Sequence, residues 1–192
     1  MGVDIDWYID ELRHTVLVAG DNYEIWWAFK SKDTRPVFVD VMNTYLEFFQ
    51  PAIHAHFVAL VVALYRLYER RKDTINIPFL LRVLRREQHL PEAALNEFET
   101  FVEKEVKPTW KKVGILRHNV IAHQSAADPT GEFWHKAGLS PNELRDLLDS
   151  TEGLLNKLAY AINRNTYTFR TRRQARNHAL DLLRDLKAIH QG

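Results

Sequence analysis

The sequence contains no cysteine among its 192 residues. This absence excludes disulfide bonds and zinc sites built on thiolates, and it agrees with a reducing compartment. The first residues are acidic and amphipathic, whereas a secretory signal is basic and then apolar. We therefore expect a cytoplasmic protein.

Glycine is scarce and the charges nearly balance. Seven glycines leave little room for β-hairpin turns, and apolar residues recur with a helical period along almost the whole chain. A chain of this length with 46% hydrophobic and 27% charged residues suits one globular domain. The sequence therefore predicts an all-α, single-domain helical bundle over residues 1–192. The net charge of +1 excludes a globally basic protein but not a local basic patch.

The chain also lacks an uninterrupted apolar run long enough to be a convincing membrane span. Residues 48–65 carry no formal charge, but Gln50, Pro51, His54 and His56 interrupt them. A central helix buried on most sides gives the same pattern, so we expect no membrane partner. The two histidines are two residues apart and would point to nearly opposite sides of a helix, which makes a shared metal ion improbable. No other metal-binding spacing is present, and we expect no metal and no cofactor.

The hydrophobic period and the capping signals give the approximate bounds of each helix. Pro51 should kink or divide the second helix, and the spacing from Ser140 to Glu143 is that of a capping box. Residues 165–171 alternate briefly and could form a strand-like connector. The predicted helices cover residues 5–30, 37–71, 78–88, a segment from about 92 toward 106, 106–123, 141–163 and 172–190.

Arg117 is the most informative residue of the chain. If residues 106–123 form a helix, Arg117 falls near the middle of an apolar stripe. Because a guanidinium cannot lose its proton, burying it without a partner is costly. Either a buried carboxylate neutralises it, or the stripe borders a cleft or subunit boundary that an anion reaches. The stripe consists of Val106, Trp110, Val113, Leu116, Val120 and Ile121.

His123 flanks the same stripe, with Asn119 one turn before it. An arginine and a histidine that converge beside an apolar helix face can hold a phosphodiester and move its protons. Taken alone, His123 is better explained as a cation at a helix C-terminus or as a core histidine with its hydrogen bonds satisfied, and Arg117 as an internal brace. The presence of both in one motif favours the functional interpretation. His118 is either a supporting donor or simply exposed.

The segment 117–123 resembles the signature of the HEPN superfamily, in which an arginine, a polar residue, a short spacer and a histidine mark an RNase site. More narrowly, the chain resembles the abortive-infection AbiU-type HEPN proteins. Residues 65–75 and the apolar residues 79–81 that follow them support this resemblance, which covers roughly residues 35–130.

The resemblance implies a metal-independent endoribonuclease that acts as a toxin or phage-defence component. Arg117 and His123 would be catalytic, His118 and Asn119 would support them, and a homodimer would bring two copies of the motif together. RNA would be the substrate, and an antitoxin a possible partner. Antitoxins that are nucleotidyltransferases modify a tyrosine two residues after the histidine in many HEPN toxins. Ser125 stands at that position in this chain. Control through such a tyrosine is therefore not expected, and the sequence is compatible with a different antitoxin or with no antitoxin.

Two arginine-rich segments are candidate RNA-binding surfaces. One contains Arg70, Arg71 and Lys72, and the other contains Arg170, Arg172 and Arg173 near Tyr167 and Phe169. Cations next to aromatic rings suit single-stranded RNA, although a solvated connector explains the second segment equally well. The alternative to an enzyme is an inactive HEPN-like RNA- or nucleotide-binding or dimerisation module, in which Arg117 pairs with an internal carboxylate. A plain helical adaptor would instead leave Arg117 solvated.

Overall fold

A computed structural model describes residues 3–118, 137–169 and 171–191. These residues form helices and connecting loops, with no strand among them, so the all-α prediction is confirmed. A π-helical turn, Val102–Val106, joins the fifth helix to the sixth. The helices are α1 (Ile5–Lys30), α2 (Arg35–Thr44), α3 (Leu46–Tyr68), α4 (Ile77–Arg86), α5 (Glu92–Phe101), α6 (Lys107–Leu116), α7 (Pro141–Asn163) and α8 (Thr171–Gln191).

The first compact unit comprises residues 1–16 and 61–168. Its described part buries one apolar side of each of its longer helices, as the helical period predicts. The hydroxyl of Tyr68, on α3, lies 2.8 Å from that of Thr151, on α7, inside this core. Its largest fully buried side chains are Ile9, Leu12, Leu64, Leu67, Ile77, Leu80, Leu84, Leu95 and Leu116.

The second compact unit comprises residues 17–60 and 169–192. Its core is rich in aromatic rings, and the rings of Phe29 and Phe49 meet edge to face with centroids 5.3 Å apart. Phe38 and Met42 from α2 and Leu183 from α8 complete this cluster.

The predicted helix over residues 37–71 proved to be two helices, and they divide at Tyr45 instead of at Pro51. Tyr45 has φ −112° and ψ 41°, outside the helical region, and α3 begins at the next residue. Pro51 therefore lies in the second turn of a new helix, where only the hydrogen bond to the carbonyl of Glu47 is lost. The prediction of one helix divided at Pro51 was wrong, because Tyr45 and not the proline interrupts the helical backbone.

The π-helical turn explains how the continuous helix accommodates Pro108, the second residue of α6. Proline has no N–H to donate to the carbonyl of Lys104, so a regular helix cannot pass through this point unchanged. The N–H of Lys107 bonds to the carbonyl of Val102, five residues earlier, which is π-helical spacing. The chain thus stays helical from Glu92 to Leu116 and contains one widened turn.

The capping box predicted at Ser140 is present. The Ser140 hydroxyl accepts from the N–H of Glu143, and the Glu143 carboxylate accepts from the N–H of Ser140. Lys112, on α6, donates to the same carboxylate and also to the carbonyl of Gly138 at 2.8 Å. These contacts fix the start of α7 beside α6.

The strand-like connector predicted over residues 165–171 does not form in its described part: residues 165–169 have no regular secondary structure, and Thr171 begins α8. The side chain of Asn156 meets the backbone of Tyr167 as a neighbouring strand would: the Tyr167 N–H donates at 2.7 Å, and the Asn156 amide donates back at 3.2 Å. The Asn156 side chain therefore satisfies both backbone hydrogen-bonding groups of Tyr167.

Within the described part, α3 is the one helix long and apolar enough to cross a membrane by length and composition. This is weak support for a span, because core helices of soluble proteins have the same properties. Phe57, Leu60 and Leu64 on this helix are buried in the protein.

Candidate active site around Arg117

Arg117 directly follows α6 and keeps helical backbone angles, with φ −55° and ψ −45°. The predicted apolar stripe is present as far as the structure describes it. Val106, Val113 and Leu116 are at most 1% exposed, and Trp110 is half-buried. The Arg117 side chain is also half-buried. A permanent cation thus stands at the end of an otherwise apolar helix face.

The ring of Tyr65, on α3, holds this cation. The guanidinium carbon of Arg117 lies 4.5 Å from the centroid of the Tyr65 ring, which is a cation–π contact. The Trp110 ring stacks on Tyr65 with centroids 5.4 Å apart and planes 23° apart, and the indole N–H donates to the Tyr65 carbonyl at 3.1 Å. Tyr65 therefore contacts two side chains of one face of α6.

Gly114 makes room for the Tyr65 ring. A Cβ atom built on Gly114 would lie 3.5 Å from Cε2 of Tyr65, so a methyl group would just touch the ring and a larger side chain would displace it. Trp110, Gly114 and Arg117 follow one another along the helix face that meets Tyr65. We call Tyr65, Trp110 and Arg117 the Tyr65 stack.

Arg117 has no ion-pair partner among the carboxylates that the structure describes. A guanidinium that lies on an aromatic face keeps its five N–H groups for an anion, because the ring contact uses its π face. No carboxylate of the described residues therefore acts as an internal brace for Arg117.

The other residues of the motif are only partly described. The side chain of His118 is exposed next to Arg117. Asn119 and His123 lie outside the described residues, as do Val120 and Ile121 of the predicted stripe and Ser125.

A family model for the AbiU2 type of HEPN domain matches residues 3–183. The chain belongs to the AbiU2 family of HEPN domains. It is therefore a HEPN domain of the abortive-infection type. Comparisons with curated proteins and with solved structures gave no match.

The first candidate RNA-binding segment of this AbiU2 domain carries charges that are mostly paired. Arg70 donates to Glu103 at 3.4 Å, and Arg71 donates to both oxygens of Asp73 at 2.9 and 2.6 Å. Lys72 is exposed. The positive electrostatic potential of this segment is weaker than its sequence suggests, because two of its three cations are paired with carboxylates.

The same pairing extends along α4. The guanidinium of Arg85 donates to both Glu92 and Glu99, and Arg86 donates to Glu87. Arg66 and Arg82, in contrast, are exposed and have no ion-pair partner among the described residues. Together with Lys72, these two arginines are the exposed cations of this region that no described carboxylate neutralises.

The paired state of Arg71 can be measured through its partner. The Arg71 hydrogen bonds lower the pKa of Asp73 from 3.8 to about 2. Because the folded-state pKa is depressed, the stabilisation from this pair is present above about pH 4 and is lost as the pH falls toward 2. We expect Arg71→Gln to return the Asp73 pKa toward 3.8, as followed by NMR titration of the carboxyl carbon. Arg70→Gln should leave it near 2, and an unshifted Asp73 pKa in Arg71→Gln would contradict the pairing.

The second candidate RNA-binding segment is described only in part. Arg170 lies outside the described residues, and Arg172 and Arg173 are in the first turn of α8 with their side chains outside the description. The Tyr167 ring is half-buried and has the guanidinium of Arg13 5.1 Å from its centroid. Burial, followed by the charge of Asp10, raises the pKa of its hydroxyl. One face of this ring is therefore already engaged inside the protein.

Sequence reasoning missed Tyr65 and Trp110 as members of the site. Both were visible as apolar or aromatic positions, but only the packing of α3 on α6 shows that they position Arg117. The signal that could have found them is Gly114, a small residue on the motif helix that permits a close ring contact. Within the described ranges, no group of three or more His, Asp or Glu side chains is placed to hold a metal ion.

Proposed function

We propose that this AbiU2-family protein is a metal-independent endoribonuclease that acts in phage defence, as a homodimer in the cytoplasm. The observation that carries the proposal is the half-buried Arg117, which lies on Tyr65 and has no carboxylate partner among the described residues. A purely structural arginine would be expected to have an acidic partner, since burying an unpaired charge is costly. A phosphodiester supplies the missing negative charge.

The proposed reaction is an attack of a ribose 2′-oxygen on the adjacent phosphorus. His123 of one protomer removes the 2′-hydroxyl proton, and the 5′-oxygen leaves with a proton from His123 of the second protomer or from a neighbouring polar group. One P–O bond forms and one breaks, so the products carry a 2′,3′-cyclic phosphate and a 5′-hydroxyl end. Arg117 stabilises the extra negative charge on the phosphorane. His118 and Asn119 orient these groups or contact the phosphate.

The proposed homodimer supplies the second proton-transferring group that the reaction needs. A single motif supplies one histidine, whereas the reaction needs one group that accepts a proton and another that donates one. Two protomers related by a two-fold axis would bring both histidines to one phosphate. An antitoxin would keep such an enzyme silent. Ser125 directs the search toward antitoxins that do not modify a tyrosine at that position.

The test is RNA cleavage in the presence of EDTA by the wild type, Arg117→Ala and His123→Ala. Arg86→Ala is the matched control, because it removes an exposed arginine that is paired on α4. We expect cleavage by the wild type and the control, cyclic phosphate ends on the products, and loss of cleavage in both motif variants. If the wild type binds RNA and leaves it intact, the protein is a binding module and the enzymatic proposal is wrong.

Tyr65 should act as a positioning residue for Arg117. A cation–π contact contributes about 0.5–2 kcal/mol, so we expect Tyr65→Leu to lower the cleavage rate about 2- to 30-fold. Tyr65→Phe retains the ring and should restore the rate to within about 2-fold. Single-turnover cleavage measures both variants. Equal losses in the phenylalanine and leucine variants would show that the ring face is not what holds Arg117.

A further inference from the structure

The first compact unit contains a cleft of about 340 Å³ next to the Tyr65 stack. This volume falls within the range of small-ligand sites in proteins, roughly 300–1,000 Å³. Trp110 belongs to both features, because it lines the cleft and stacks on Tyr65. The cleft and Arg117 are therefore connected through one aromatic contact.

The walls of the cleft are apolar and partly aromatic. Besides Trp110, they include Pro78 and Leu81 from α4 and Val102 and Val106 from the π-helical turn. The indole of Trp110 is held by its hydrogen bond to the Tyr65 carbonyl, so its ring presents a fixed surface. A planar, uncharged group of the size of a nucleobase can stack on such a surface.

Charged side chains also line the cleft. Arg70, Arg82 and Lys107 line it together with two carboxylates, Glu99 and Glu103. Both carboxylates are already bound by cations, Glu103 by Arg70 and Lys107 and Glu99 by an arginine outside the lining. The Arg82 guanidinium, 5.6 Å from the centroid of the Phe79 ring, has no carboxylate partner among the described residues. Arg82 is therefore a cation of the cleft lining that can bind an anion.

We propose that this cleft binds one nucleotide of the RNA strand that the site cleaves, with its base against Trp110 and its phosphate at Arg82. This inference rests on the proposed ribonuclease function. Trp110 and Arg117 are seven residues apart, about two helical turns, which corresponds to about 10.5 Å along the axis. One short strand can reach from the cleft to the phosphate held by Arg117. The cleft would therefore determine which phosphate of the strand is cut.

Binding can be measured separately from cleavage with a fluorescein-labelled 2′-O-methyl RNA hexamer of mixed sequence. Its blocked 2′-oxygens prevent the proposed attack, so the probe reports on the cleft whether or not the protein is an enzyme. We expect Arg82→Glu to raise the Kd, read by fluorescence anisotropy at physiological salt, by about 10-fold or more. Arg86→Glu reverses the same charge on the same helix outside the cleft, and we expect less than about 3-fold from it.

A second variant tests the apolar walls. Val102→Phe places a ring into the cleft from a half-buried position and should also weaken hexamer binding, while the melting temperature confirms that the protein folds. Equal Kd values for Arg82→Glu and Arg86→Glu, or full binding by folded Val102→Phe, would overturn the proposal. So would binding of nucleoside monophosphates that Arg82→Glu abolishes and that the hexamer does not displace, since the cleft would then bind a free nucleotide and not the strand. If the wild type does not cleave RNA but Arg82→Glu and Val102→Phe still weaken hexamer binding, the result supports the cleft as an RNA-binding site and contradicts only the proposed ribonuclease activity.

Discussion

Arg117→Ala should reduce RNA cleavage by about 10²- to 10³-fold, because removal of one preorganised donor to a developing oxyanion typically has that effect. In this protein the donor is held half-buried on Tyr65, so water cannot replace it with the same geometry. Single-turnover kinetics with excess enzyme measure the chemical step without product release. The loss should appear mainly in the rate and less in RNA affinity, since the interaction is strongest in the transition state.

Arg117→Lys separates charge from shape. Lysine keeps the positive charge but lacks the planar guanidinium, which in the proposed reaction would bind two phosphate oxygens at once. We therefore expect partial activity, between the wild type and alanine. The free energy of unfolding should fall by no more than about 2 kcal/mol in Arg117→Ala, which is the upper range of the lost cation–π contact, and by less in Arg117→Lys, because no ion pair with a described residue is broken. Wild-type cleavage by Arg117→Ala would remove the residue from the mechanism.

Asn76→Ala should lower the free energy of unfolding by about 2–3 kcal/mol, which combines the loss of a helix N-cap with unsatisfied buried polar groups. Asn76 is fully buried. Its side chain accepts from the N–H of Phe79 at 2.8 Å and donates to the carbonyls of Arg71 and Thr74, both at 2.9 Å. One amide thus begins α4 and closes the loop that follows α3.

The backbone of Asn76 is held as well, since its N–H donates to the hydroxyl of Tyr8 at 2.8 Å. Thermal unfolding followed by circular dichroism should show a midpoint about 4–12 °C lower for Asn76→Ala. Asn43→Ala, at an exposed position on α2, is the matched control and should change the midpoint little. A wild-type midpoint in Asn76→Ala would mean that water replaces the lost hydrogen bonds without cost.

The sequence predicted best those features that depend on neighbouring residues. The bounds of α1 and the capping box at Ser140 follow from local period and local hydrogen bonds, and both are confirmed. The break at Tyr45 was missed, although Phe38, Met42 and Phe49 on either side of it all reach one aromatic core. The break allows residues of α2 and α3 to pack in the same core as α8. The local hydrophobic period does not predict contacts between segments so far apart in sequence.

The same distinction applies to the candidate site. The apolar stripe and the place of Arg117 on it were predictable, since both are properties of a single helix. The contact with Tyr65 joins positions 52 residues apart, and the ion pairs of Arg85 involve partners up to 14 residues away. Local period does not reveal such partners. The sequence therefore indicated a basic surface where the structure shows mostly neutralised charges. The role of His123 stays a prediction.

The widened turn at Val102–Val106 determines how the residues of α6 are oriented about the helix axis relative to those of α5. It holds one residue more than a regular α-helical turn, so deleting one residue from it would restore regular spacing and leave α6 close to its original rotation relative to α5. An α-helix advances about 100° per residue, so the same deletion in the regular part of α6, between Trp110 and Arg117, would turn Arg117 away from the Tyr65 ring by about that angle. The widened turn is therefore the one place in this stretch where the chain tolerates a change in length.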